Sequence, residues 1–320
     1  MLVALAAGML VLAVCVPGAV PGGGEGSPGG PAKLFVMLAA DSSGTGTSGP
    51  VARYDVRGPA SGPTLDTTIP DPSFFRPCCF AFPTGNEMFV INRGDGLSPG
   101  RGYISRILNP LHAPRPNGAI ASPDFSGPHW AAFRGDELFV PQRGGSNVLR
   151  FVFDQHGIAL PNGAITAGLC CTAPRGVAFS QSGELFVTQC CEVSTITRYV
   201  FDSAGNAIPN GVITGGGLSS PHDLAFSTSG ELFVANAVGD SVSRFTFDAS
   251  GNASPNGLIT SPSLSGRLGL DFSPWGELFV GSGDPPGGVS RWTFDSSGTA
   301  TFNGSFNTPS NVVLDIQFGP

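Results

Sequence analysis

Gly183-Glu184-Leu185-Phe186-Val187 recurs almost verbatim at 230–234 and 276–280, with looser copies at 136–140, 86–90 and 33–36. The copies stand about 46–54 residues apart. Self-similarity at one period means that the chain builds one supersecondary unit repeatedly, and a unit of this length suits a single four-stranded blade. Two further markers recur with it. An arginine precedes an apolar or aromatic residue at Arg53, Arg106, Arg150, Arg198, Arg244 and Arg291, and a short apolar run ends in Phe82, Phe133, Phe179, Phe226 and Phe272. The first copy has no such run in front of it, while 312–318 is a run with nothing behind it. The two fragments complete each other. The sequence therefore predicts an all-β, six-bladed propeller of four-stranded antiparallel blades over 33–320, closed by the C-terminal strand joining the N-terminal blade. Such closure removes the free sheet edges that invite aggregation.

The copy at 221–260 gives the plan of a blade. An apolar run at 221–226 reads as the innermost strand, 231–236 as the second, and 241–248, alternating with period two, as the third. A turn at 249–252 leads to an outer strand at 253–260, where the Pro255-Asn256-Gly257 punctuation is tolerated at an edge. The arginine of the third strand is expected to pair with a carboxylate or carbonyl of a neighbouring blade. Asp154, Asp202, Asp248 and Asp295 each precede a glycine-containing turn and are read as Asx-turn residues.

Composition bears on compartment and partners. The net charge is −7, only 12% of residues are charged, and Lys33 is the one lysine among evenly spread arginines. No basic cluster exists to hold nucleic acid or an anionic membrane. Residues 1–20 are apolar and are expected to be an export signal, followed by a Gly/Pro-rich linker at 21–32. Leu12-Ala13-Val14-Cys15 approaches a bacterial lipoprotein box, so a lipid anchor at Cys15 is a further possibility, and no later segment is long and apolar enough to span a membrane. A monomer, secreted or held in the periplasm or at the cell surface, is expected.

Aligning the innermost strands on their terminal phenylalanines places one residue per blade at the mouth of the central channel: Cys78, His129, Arg175, His222, Leu268 and Leu314. Four consecutive blades offer polar or reactive groups and two offer leucine, an asymmetry that suits a ligand site. The second strands end in Asn92, Gln142, Gln189 and Asn236, and Asp223 follows His222. Cys78, Asn92, His129, Arg175, His222, Asp223 and Asn236 are accordingly the ligand-binding candidates. A histidine at such a mouth is suited to general acid–base chemistry, and an arginine to holding a carboxylate or oxyanion. If the site is catalytic, His222, Arg175 and His129 are the candidates. His112 and His156 are expected at the surface.

Six cysteines follow the leader in three adjacent pairs, Cys78-Cys79, Cys170-Cys171 and Cys190-Cys191. Antiparallel pairing brings the start of an innermost strand near the end of the second, so crosslinks between the 170–171 and 190–191 pairs are sterically feasible. Cys78-Cys79 has no evident partner pair, leaving a vicinal disulfide or two thiols open. An exported chain favours oxidation. The rival reading is a metal, such as tetrahedral zinc, held by cysteine thiolates with His129 or His222, but the spacing is not Cys-x-x-Cys and adjacent residues of a strand point to opposite faces. No metal or other cofactor is assigned.

Ser-Gly-Glu-Leu-Phe-Val followed by Val-Ser-Arg-Phe-Thr-Phe-Asp, as at 229–234 and 242–248, resembles the NHL-type and SMP-30/gluconolactonase-like six-bladed propellers and, more distantly, streptogramin lyase. The resemblance covers residues 33–320. It implies the propeller fold and, as an alternative function, a hydrolase or lyase of the lactonase or streptogramin-lyase kind. The residues themselves favour an exported protein that binds a small molecule or an extracellular protein at the channel face. A structural role in the cell envelope is the third reading.

Overall fold

A computed structural model of the chain describes residues 31–39, 49–70, 73–83, 86–94, 100–169, 173–190, 194–266, 269–284, 287–310 and 312–319. The apolar leader, Cys15 and nearly all of the linker lie outside them. Among the described residues no helix is long and apolar enough to cross a membrane. The strands are β1 (Ala32–Leu38), β2 (Val51–Val56) and β3 (Thr64–Ile69); β4 (Pro77–Ala81), β5 (Glu87–Asn92), β6 (Tyr103–Leu108) and β7 (Arg115–Ala121); β8 (Ala132–Arg134), β9 (Glu137–Pro141), β10 (Val148–Phe153) and β11 (Ala159–Ile165). There follow β12 (Pro174–Phe179), β13 (Leu185–Cys190), β14 (Ser194–Phe201) and β15 (Ala207–Ile213); β16 (Pro221–Phe226), β17 (Leu232–Asn236), β18 (Ser241–Phe247) and β19 (Ala253–Thr260); β20 (Gly269–Phe272), β21 (Leu278–Ser282), β22 (Gly288–Phe294) and β23 (Ala300–Phe306); and last β24 (Val313–Phe318).

They form six four-stranded antiparallel sheets, and the first sheet has the order β24-β1-β2-β3. The C-terminal strand thus completes the N-terminal blade, with Val36 opposite Ile316 and Leu34 opposite Phe318. The chain is a six-bladed β-propeller, as the repeat predicts.

Each conserved-looking letter of the repeat has a partner that recurs with it. In the fifth blade Glu231 accepts from Arg244 Nε at 2.8 Å and Nη2 at 3.0 Å, and from Asn256 Nδ2 at 2.7 Å. Glu87 with Arg106 and Asn117, Glu184 with Arg198 and Asn210, and Glu277 with Arg291 and Asn303 repeat the arrangement. The arginine also reaches the hairpin of the next blade: Arg106 donates to the Gly157 carbonyl, Arg150 to Gly205 and Arg198 to Gly251. The expectation of a carbonyl from the neighbouring blade therefore holds, but the carboxylate comes from the arginine's own blade. The reason is register, since Phe233 lies opposite Arg244 and puts Glu231 one pleat away on the same sheet. The first blade inverts the pattern. Lys33 occupies the glutamate position, and Asp66 of the outer strand binds both Lys33 and Arg53.

The phenylalanines join the blades. Phe186 of β13 packs edge-on against Phe226 and Phe247 of the next blade at ring-centroid distances of 5.0 and 5.6 Å, and Arg198 lies over both Phe186 and Phe247. Phe89, Phe139 and Phe233 make the same triplets. Across the closing seam Phe279 meets Phe318 at 5.1 Å. The Asx turns form as expected: Asp202 Oδ1 accepts from the amides of Ala204 and Asn206, with Gly205 at φ +80°.

Candidate functional site

The six innermost strands surround a central channel. At one end it opens into a cavity of about 430 Å³ whose wall includes Ala81, Ala132, Ala178, Ala225, Asp271 and Gln317, one from each blade. At the other end Cys78, Arg93, His129, Trp130, His222 and Leu314 line a cavity of about 10 Å³, room for about one water-sized probe. Trp130 lines both and so divides the channel. Of the six residues the sequence places in one ring, the structure brings Cys78, His129, His222 and Leu314 to this cavity; Arg175 is not part of its lining, and Leu268 lies outside the described residues.

The local backbone explains how. The innermost strands of the second, fourth and fifth blades each begin with a proline followed by a register shift, between Pro77 and Cys79, Pro174 and Val177, and Pro221 and Leu224. The residue before each proline, Arg76, Ala173 or Ser220, has a positive φ. A bulge re-aims side chains, and bulges gather next to binding sites. Cys78, Arg175 and His222 each sit in one. In the third blade regular pairing stops at a bridge between Pro128 and Gln142, so His129 and Trp130 precede β8 instead of lying in a strand. Trp130 takes φ +50°, an uncommon conformation for so large a residue.

His129, Trp130 and His222 pack against one another, His129 tilted on Trp130 at a centroid distance of 4.8 Å and His222 edge-on to both, 4.6 Å from Trp130 and 5.3 Å from His129. Both histidines are buried, at 2% exposure. Burial pushes the pKa of His129 well down, and repulsion from His222, were both rings protonated, and from Arg93, Arg175 and Arg143 pushes it further in the same direction. His129 is therefore a neutral imidazole with a cationic surround. The sequence reading missed Arg93 and Arg143. Each directly follows an amide at or just past the end of a second strand, in Asn92-Arg93 and Gln142-Arg143, and that recurrence is the signal that marks them.

The amides themselves face other tasks. Asn92 accepts from the Phe75 amide and donates to Val90 O and Ser105 Oγ; Asn236 accepts from the Ser219 amide and donates to Ser241 and Ser243. Each pins the loop that leads into its own blade's innermost strand. Asp223, 4% exposed, accepts from its own blade at Leu224 N and from the next at Leu270 N, both at 2.8 Å. Asp315 bridges Ile316 N and Phe80 N, and Asp271 bridges Phe272 N and Phe318 N, in the same way. His112 and His156 are exposed, as expected.

The bulge at Cys78 changes the reading of the cysteine pair. The two sulfurs do not point to opposite faces but touch. Their Cα atoms are 3.8 Å apart, the spacing a trans peptide imposes, whereas disulfides usually span about 4.4–6.8 Å. The pair is too close for a disulfide of ordinary geometry, and the vicinal bond held open on the sequence is not supported. Cys170, Cys171 and Cys191 lie outside the described residues. Cys190 Sγ lies 3.8 Å from the Ala173 carbonyl, beside the start of β12, where antiparallel pairing was expected to bring it.

No protein-family model and no curated protein matches the chain. Solved structures do. A 6-phosphogluconolactonase candidate from Bacteroides uniformis superposes with a TM-score of 0.66 at 17% identity, over 87% of this chain and 84% of that one. The periplasmic gluconolactonase of Pseudomonas aeruginosa gives 0.61 at 17% identity, over 86% and 84%. The likeness is one of fold. A catalytically inactive His-to-Ala variant of virginiamycin B lyase from Staphylococcus aureus, solved with quinupristin, gives 0.51 at 16% identity, over 73% and 70%. Propellers host many chemistries, so the site must argue the function.

Proposed function

We propose that this is an exported propeller that binds a small anionic ligand, such as a sugar acid, at the histidine end of its channel. One observation carries the reading: Arg93 lines the cavity shared by His129 and His222, and the charges of Arg143 and Arg175 also bear on His129. Arginine is the side chain best shaped to take a carboxylate or phosphate in two parallel bonds. Export is supported by the apolar stretch at 1–20 and by the periplasmic address of the Pseudomonas neighbour. The test is calorimetric titration with gluconate and 6-phosphogluconate. Saturable binding is expected, weakened about 10- to 100-fold by Arg175→Gln, the loss of about 1.5–3 kcal/mol that a hydrogen bond to a charged group represents. Absence of saturable binding by either anion would overturn the reading.

A second reading, hydrolysis or elimination on a lactone-like substrate, is favoured by the two histidines at the channel mouth, 5.3 Å apart. His222 would serve as acid or base, with Arg175 or His129 supporting it. Both rings are buried against Trp130, so substrate would reach them only after the mouth opens. Turnover of lactones that disappears in His222→Ala would favour this reading over binding alone.

A further inference from the structure

We propose that Cys78, Cys79 and His129 together hold one thiophilic metal ion, Zn2+ or Cu+. The two sulfurs and a ring nitrogen of His129 all lie within 4.8 Å of one another, and all three residues are buried. Donors bound to one ion at about 2.0–2.3 Å stand roughly 3.5–4 Å apart, so the two sulfurs swing apart and the ring nitrogen closes in when all three share it. Two thiolates with an imidazole form a soft set that selects these ions over Mg2+ or Ca2+.

Three further features fit. His129 Nδ1 is buried without a hydrogen-bond partner, a costly state that coordination or a proton donor relieves. Arg93 lines the same small cavity as Cys78 and His129, a positive neighbour for a pair of sulfur donors. The backbone is also committed to the arrangement. The Trp130 amide donates to Cys79 Sγ at 2.9 Å, and the strand irregularity at Pro77 turns Cys78 to the same side. An amide donor to a metal-bound sulfur is an outer-shell contact of the kind that orients ligands. With three protein donors, Zn2+ keeps a fourth position for water or ligand in the adjoining cavity, while Cu+ is satisfied as it stands. The proposal stands whether or not the channel mouth binds an anion.

The experiment uses the full chain, reduced and handled without oxygen. Zn2+ and Cu+ are each titrated in competition with a chromophoric chelator. One equivalent is expected, abolished in Cys78→Ser and Cys79→Ser, weakened at least tenfold in His129→Ala, and retained in Cys190→Ser. Co2+ loading of the wild-type chain supplies a check that needs no variant, a sulfur-to-cobalt charge-transfer band of two-thiolate intensity. Tight Zn2+ binding identifies an open four-coordinate centre and tight Cu+ binding a closed three-coordinate one. The proposal is overturned if the reduced chain takes up no equivalent that depends on these three residues. It is also overturned if the cobalt spectrum shows no thiolate ligation.

Discussion

Glu231 shows what one recurring letter of the repeat does. Its carboxylate receives both a guanidinium edge and the Asn256 amide, and Arg244 lies over Phe233 and Phe294 of the blade interface. The pair is 9% exposed at the arginine and 12% at the glutamate, so water screens it poorly. Removing the charge with Glu231→Gln leaves a nearly buried guanidinium without its counter-ion. The expected loss is about 3 kcal/mol, the low end for stripping one partner from a buried pair, read as a lower urea midpoint. Arg244→Met in the same background should recover part of it, because the uncompensated charge goes too. An unchanged midpoint in the single variant would mean that the ion pair is no stronger than one at the surface.

The innermost strands separate what the sequence discloses from what it hides. Strand number, order and closure were legible because Glu, Arg, Asn and Phe each return with a partner in nearly every blade. The residues facing the channel do not repeat, and their geometry depends on bulges that no period announces. Alignment on Phe226 did put His222 beside His129, since a count along the strand survives a bulge. It could not foresee that Cys78 and Cys79 share a side, that Trp130 would stop the channel, or that Asp223 would bond forward into β20. Packing between adjacent innermost strands was equally hidden. At Gly176 a Cβ would stand 2.4 Å from the His222 carbonyl, and the Gly176 amide donates to Thr188 Oγ1, which in turn donates to that same carbonyl at 3.0 Å. Only hydrogen fits there, so Gly176→Ala must push β12 and β16 apart. The expected cost is about 1–3 kcal/mol for overpacking against backbone, and His222 should move with it. Unfolding by urea measures the first effect and ligand affinity the second; wild-type values for both would show that the seam yields freely.

Around the ring, three carboxylates sit at successive seams: the buried Asp223 between the fifth and sixth blades, the half-buried Asp271 between the sixth and first, and the buried Asp315 between the first and second. The C-terminal strand β24 is engaged by two of them, so the join between the chain's ends relies on the same device. Burial pushes Asp223 up to about 8 and Asp271 up to about 6. Asp315 is raised well above the usual range, first by burial and then by the charge of Asp223. Each group holds its proton more tightly folded than unfolded, so its contribution is fully present below about pH 4 and is lost as pH rises through the folded value. His129 acts oppositely. It is held neutral in the fold and contributes stability that is lost as pH falls below about 6.5, its unfolded value. The interval from pH 7 to 9 takes His129 out of the comparison, because the histidine is neutral in both states there. Stability should fall across it, by up to ~1.4 kcal/mol per pH unit for each group still protonated in the fold. Asp223→Asn should flatten the fall, since an amide has no proton to lose and its oxygen still accepts the Leu270 amide. Thermal melts of both chains at half-unit pH steps supply the comparison. Parallel profiles would mean that Asp223 is ionised in the fold throughout, held by its two backbone donors against the cost of burial.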